Sequence, residues 1–133
     1  MNAARLLAVA SLATLAACNS HAPKPDNITL ANQRECPVNL AAGQRLTLTL
    51  PSDPTTGYRW LMQNAGQPAL RSLGAEVFSN PEDAGVVGGA GQSMWRFEAK
   101  QAGSGTLLLV YQQPWAPEVK PIKSFECVIS VAQ

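Results

Sequence analysis

A chain of 133 residues can build one domain with a real core, and ten basic against nine acidic side chains give it no surplus with which to hold a nucleic acid. Its one histidine and three cysteines are too few and too scattered for a zinc set. They also give nucleophilic catalysis no oriented base, so the expectation is a protein that is not an enzyme and has no metal or cofactor.

In chain order, Arg5 supplies a positive start, Leu6 to Leu15 an apolar run, and Leu15-Ala16-Ala17-Cys18 a set of small residues before a cysteine. The run is shorter than the roughly 20 apolar residues a membrane helix needs and breaks at Asn19-Ser20-His21. Leu-Ala-Ala-Cys resembles the bacterial lipobox, which implies that 1–17 is a lipoprotein signal peptide and that Cys18 is lipidated. Asn19, where Asp would imply retention at the inner membrane, points to an exported lipoprotein of the outer membrane, facing periplasm or surface. Residues 18–26, polar and broken by Pro23 and Pro25, read as a tether in which His21 is a solvated linker residue. Without Arg5 the chain carries nine basic and nine acidic residues, and the lipid on Cys18 is the only membrane attachment implied.

Residues 27–133 read as a single all-β domain, because short strand-like runs recur between Gly, Pro, Asn and Ser, as in an immunoglobulin-like β-sandwich of about seven or eight strands. Ile28 to Ala31 is an edge strand and Glu35 to Leu40 a second, ended by Ala41-Ala42-Gly43. Leu46 to Leu50 alternates leucine with threonine, and Tyr58, Trp60 and Met62 alternate with Arg59 and Leu61 beyond a turn. Gly66 to Gly74 reads as loop and Glu76 to Ser79 as a short strand. Asn80 then opens a glycine-rich segment that lasts to Gly91. Ser93 to Ala99, Thr106 to Tyr111 and Lys123 to Val131 complete the strands. Cys36 and Cys127 both lie in phase with apolar neighbours, and in an oxidising compartment they are the pair left to form a disulfide across the domain.

Three loops stand out. Asp53-Pro54-Thr55-Thr56-Gly57-Tyr58 is a stiff turn, in which Pro54 fixes φ, Gly57 tolerates positive φ and two threonine hydroxyls are displayed at the crest. Gly88-Gly89-Ala90-Gly91 precedes the aromatic strand of Trp95 and Phe97. Trp115, between Pro114 and Pro117, cannot lie in a central strand and is expected in an exposed loop. Loops of a sandwich gather at its two ends, so three separate segments can make one binding surface.

These motifs, in this order and spacing, resemble the chagasin family of protein inhibitors of papain-like cysteine peptidases. That family carries Asn-Pro-Thr-Thr-Gly-Tyr/Phe where this chain has Asp53 to Tyr58, Gly-x-Gly-Gly where it has Gly88 to Gly91, and Arg-Pro-Trp where it has Gln113-Pro114-Trp115. The resemblance implies a monomeric, reversible, competitive inhibitor whose Thr55-Thr56 tip enters the peptidase cleft, flanked by the glycine loop and Trp115. Asp53 for Asn adds a charge, Ala90 for Gly restricts the loop, and Gln113 for Arg removes a fork that could pair with a peptidase carboxylate. The other reading is an immunoglobulin-like structural or adhesion module of the cell envelope without a peptidase target.

Overall fold

Leu46, Leu48 and Leu50 point to one side of a strand and Arg45, Thr47 and Thr49 to the other, because extended backbone sends successive side chains to opposite faces. In the computed structural model, which describes Cys18, residues 24–80 and residues 91–133, the three leucines are buried and form the inner face of one sheet. The described strands are β1 (Asn27–Leu30), β2 (Val38–Ala41), β3 (Arg45–Ser52), β4 (Arg59–Ala65), β5 (Leu70–Ser72), β6 (Val77–Ser79), β7 (Gly91–Ala99), β8 (Gly103–Gln112) and β9 (Lys123–Ala132). One sheet runs β1-β3-β7-β5, with β6 also paired to β7, and the other runs β2-β9-β8-β4. Between them lie Trp60, Trp95, Phe97, Phe125 and the aliphatic side chains of β3, β8 and β9. Each large side chain so buried contributes about 1.5–3 kcal/mol. The expected all-β sandwich is present.

Nine strands are described where seven or eight were expected, and the added one is β5. Gly66 to Gly74 reads as loop because only Leu70 of Leu70–Ser72 faces inward, too short a run to carry a period. Its pairing is set by β7, with Leu70 opposite Ala99 and Ser72 opposite Phe97. The second strand also begins later than Glu35. Asn32 caps a single 3-10 turn over Gln33–Glu35, its Oδ1 accepting from the Arg34 N–H at 3.0 Å while Glu35 Oε1 accepts from the Asn32 N–H at 3.0 Å. That turn carries the chain from the first sheet, where β1 lies parallel to β3, to the second, where β2 lies parallel to β9. In β4 the alternation of Trp60 and Met62 gives way to a bulge before Asn64, after which Ala65 meets the core.

The disulfide joins Cys36 to Cys127, with Cα atoms 5.4 Å apart and a separation of 91 positions in sequence. Cys127 is fully buried and Cys36 packs against the core beside Val38.

Ser52 pairs with Gly91, Ser79 with Gln92, Arg59 with Gln112 and Tyr111 with Lys123. One end of the sandwich therefore holds the turn after β3, the loop from β8 to β9, and the points where the chain leaves the described residues after Asn80 and returns at Gly91. Asn27, Arg45 and Glu98 mark the opposite end. The expected signal peptide, 1–17, and residues 19–23 of the expected tether lie outside the described residues.

Candidate functional site

Asp53 organises the turn. Its Oδ1 accepts from the Thr55 N–H at 3.1 Å and from the Thr55 hydroxyl at 2.5 Å, capping a single 3-10 turn over Pro54–Thr56. The Thr56 hydroxyl donates to the Asp53 carbonyl at 2.7 Å. Gly57, at φ 83°, ends the turn in the left-handed region, its N–H donating to the Pro54 carbonyl at 3.1 Å. Arg59 Nη1 donates to that same carbonyl at 2.9 Å and to the Tyr58 carbonyl at 3.0 Å. Both threonine hydroxyl protons are thus spent within the turn. The expected display of two free hydroxyl donors is corrected accordingly: the exposed crest of Thr55 and Thr56 offers methyl groups and oxygen lone pairs.

Below the crest the turn is keyed into the core. The Asp53 N–H donates to Tyr111 Oη at 3.0 Å, and the Tyr111 ring lies 5.5 Å from that of Tyr58 and 4.9 Å from that of Trp60. Trp60 Nε1 in turn donates to the Pro51 carbonyl at 3.0 Å. Tyr111 and Trp60 are buried, so the strand ends flanking the turn are fixed by packing as well as by pairing.

Trp115 lies in a loop, as expected, and is 68% exposed. Its ring edge nevertheless rests on the turn: a Cβ built on Gly57 would stand 2.1 Å from Trp115 Cη2. Gln113 Nε2 donates to the Thr56 carbonyl at 3.3 Å, so the residue standing where the family has Arg ties one loop to the other. Backbone bonds from Ala116 to Gln113 and from Ile122 to Tyr111 close the loop on itself. Gly57 meets two demands at once, a positive φ and room for an indole. Gly57→Ala should therefore cost about 1–2 kcal/mol in urea unfolding. Most of that cost beyond the backbone strain should vanish in a Trp115→Ala background; a penalty independent of Trp115 would show that the ring does not press on the turn.

The glycine motif divides. Gly88, Gly89 and Ala90 lie outside the described residues. Gly91 is the buried first residue of β7, and a Cβ there would meet the Ser79 carbonyl and the Phe78 ring at 2.5 Å, so its bareness serves the close approach of β6. Sequence reasoning passed over Val119 and Ile122, both 56% exposed on the loop that carries Trp115. They sit among prolines, lysine and glutamate, and their exposure was readable from the same proline argument that placed Trp115.

Residues 39–129 match the family described as Chagasin family peptidase inhibitor I42. Over 80 residues the chain is 30% identical to Amoebiasin-1 of Entamoeba histolytica, a match covering 60% of this chain and 76% of that protein. It is 29% identical over 80 residues to chagasin of Trypanosoma cruzi, covering 59% and 73%. Among solved structures, the cysteine protease inhibitor EhICP2 from Entamoeba histolytica shares the fold with a TM-score of 0.66 at 18% identity, covering 82% of this chain and 100% of that one. PbICP-C, determined in complex with falcipain-2, shares it at 0.51 and 15%, covering 80% and 89%. The family match runs from β2 into β9 and takes in the turn that Asp53 caps and the loop that bears Trp115, and the chain belongs to the chagasin family of peptidase inhibitors.

Proposed function

We propose that the chain is a tight-binding, reversible and competitive inhibitor of papain-like cysteine peptidases, inserting the turn of Asp53 to Tyr58 into the active-site cleft with Gln113, Pro114 and Trp115 alongside. The observation that carries this reading is the contact between the two loops: Trp115 on Gly57 and Gln113 on the Thr56 carbonyl make them one preassembled wedge. A wedge already ordered loses little conformational entropy on binding. Its tip is a 3-10 turn with every local bond made, so it does not present the extended backbone that a peptidase cleaves, and no covalent step is needed. Falcipain-2 bound to a protein of this fold supports a peptidase as the partner. Gly88, Gly89, Ala90 and Gly91 belong to the same proposal as the third loop and its stem. So do export, lipidation at Cys18, action as a monomer, and a station in the cell envelope.

Titration of the chain against papain tests it. Hydrolysis should fall with rising inhibitor, the block should yield to excess substrate, and activity should return on dilution. Joint replacement of Thr55 and Thr56 by Asp should weaken inhibition about tenfold or more, since like a misfitted interface core it puts charge into a desolvated cleft. Unchanged hydrolysis at micromolar inhibitor, with papain and with cathepsin L, would overturn the reading.

A further inference from the structure

The even balance of charge along the chain hides a local surplus. Arg45 on β3 and Arg96 on β7 project from the outer face of the first sheet, toward the end away from the turn that Asp53 caps. Together with Asn27, Thr47 and Leu73 they line an open cleft of about 410 Å³ that has no carboxylate in its walls. Thr47 Oγ1 donates to Asn27 Oδ1 at 3.1 Å, which leaves the Asn27 amide hydrogens as further donors. Glu98, opposite Arg45 in register, is engaged by Arg71 at 3.0 Å. Among the described residues neither Arg45 nor Arg96 has a carboxylate at ion-pair distance. Arg71 and Lys100 line a second open cleft at the same end.

The tether arrives here. The Arg45 N–H donates to the Asp26 carbonyl and Gln44 Nε2 to the Pro25 carbonyl, both at 2.8 Å, which holds the entry to β1 against the start of β3. From Cys18 to Asn27 the backbone spans at most about 30 Å, so a lipid on Cys18 keeps this end of the sandwich close to the bilayer. Guanidinium groups suit phosphate oxygens, which they bind in pairs of parallel hydrogen bonds.

We infer that the cleft of Arg45, Arg96, Asn27 and Thr47 receives phosphate groups of anionic lipid headgroups, so that this end of the domain rests on the membrane and the opposite end, with Trp115, faces the aqueous space. The contact is electrostatic and adds to the lipid on Cys18 a second, orienting attachment, and it does not depend on which peptidase is the target.

The test uses residues 18–133 with Cys18→Ser, which keeps every strand and the disulfide and cannot carry a lipid. This chain should sediment with vesicles of phosphatidylglycerol in phosphatidylcholine, remain in solution with phosphatidylcholine alone, and be released between about 50 and about 500 mM salt. The double variant R45Q/R96Q should bind the anionic vesicles about thirtyfold more weakly. Its inhibition of papain in solution should match that of the parent, which checks the fold and keeps a failure of the inhibitor reading separate from a failure of this one. Parent chain left in the supernatant, or a double variant that sediments as the parent does, would overturn the inference. Saturable binding of inorganic phosphate without vesicle binding would assign the cleft to a soluble oxyanion and overturn it as well.

Discussion

Replacing Trp115 with alanine should raise the inhibition constant against papain by about thirtyfold or more, corresponding to the ~2 kcal/mol that marks an interface hot spot. The indole is 68% exposed in the free protein, so its large apolar area is available to a partner, and only its edge is committed to Gly57. That edge contact, with the Gln113 bond beside it, fixes the ring before a peptidase arrives, and little ordering cost remains to be met on binding. Because the core aromatic residues are Trp60, Trp95, Phe97, Tyr111 and Phe125 rather than Trp115, the melting temperature of the variant should stay within a few degrees of the parent. Measuring both quantities separates the roles. Lost stability with unchanged inhibition would make Trp115 a cover for the turn and nothing more.

Opening the disulfide should have the largest effect on stability. A loop of 91 positions closed by Cys36 and Cys127 restricts the unfolded chain by about 4.5 kcal/mol on the loop-entropy argument, a large share of the 5–15 kcal/mol that holds a typical domain. Replacing both cysteines with alanine should therefore lower the melting temperature by about 20 °C. The loss should be felt first at β2, a four-residue edge strand whose one fully buried side chain is Leu40. The proposed inhibitory end is built by β3, β4 and β8, so papain inhibition at 25 °C should persist in the variant and fail on heating well before that of the parent. A shift of only a few degrees would show that pairing on β9 holds β2 without the bridge.

Strands β3, β7, β8 and β9 were legible in the sequence because each is long and has one face against the core, so a period of two is written into it. The immunoglobulin-like sandwich and the disulfide followed from that pattern and from cysteine count. β5 was not legible, since its three residues are strand only because β7 offers them an edge. The late start of β2 had a readable sign in Asn32 and Glu35, whose spacing is that of a capping box, although Glu35 reads as the first residue of the strand when its alternation alone is followed. At the candidate site, the turn residues declared themselves through Pro54 and Gly57, but the partner of Gly57 lies 58 positions away and no local pattern announces it. The same holds for Arg45 and Arg96, which only the register of β3 and β7 brings into one cleft, whereas the threonine hydroxyls find their partners locally, in the side chain and the carbonyl of Asp53.

The place of β9 bears on how the chain comes to be folded. β9 lies between β2 and β8, with Val38 opposite Ile129 and Leu107 opposite Cys127, so the last of the described strands fills the middle of its sheet. Until it emerges, β2 has no neighbour and the inner edge of β8 stands open. The eight described strands before β9 cannot close the sandwich by local contacts alone, and ring closure by the cysteines has to follow the synthesis of all of them. Loss of Lys123–Ala132 alone should leave a sheet without its centre, whereas the turn that Asp53 caps is complete within its own few residues from the moment it is made.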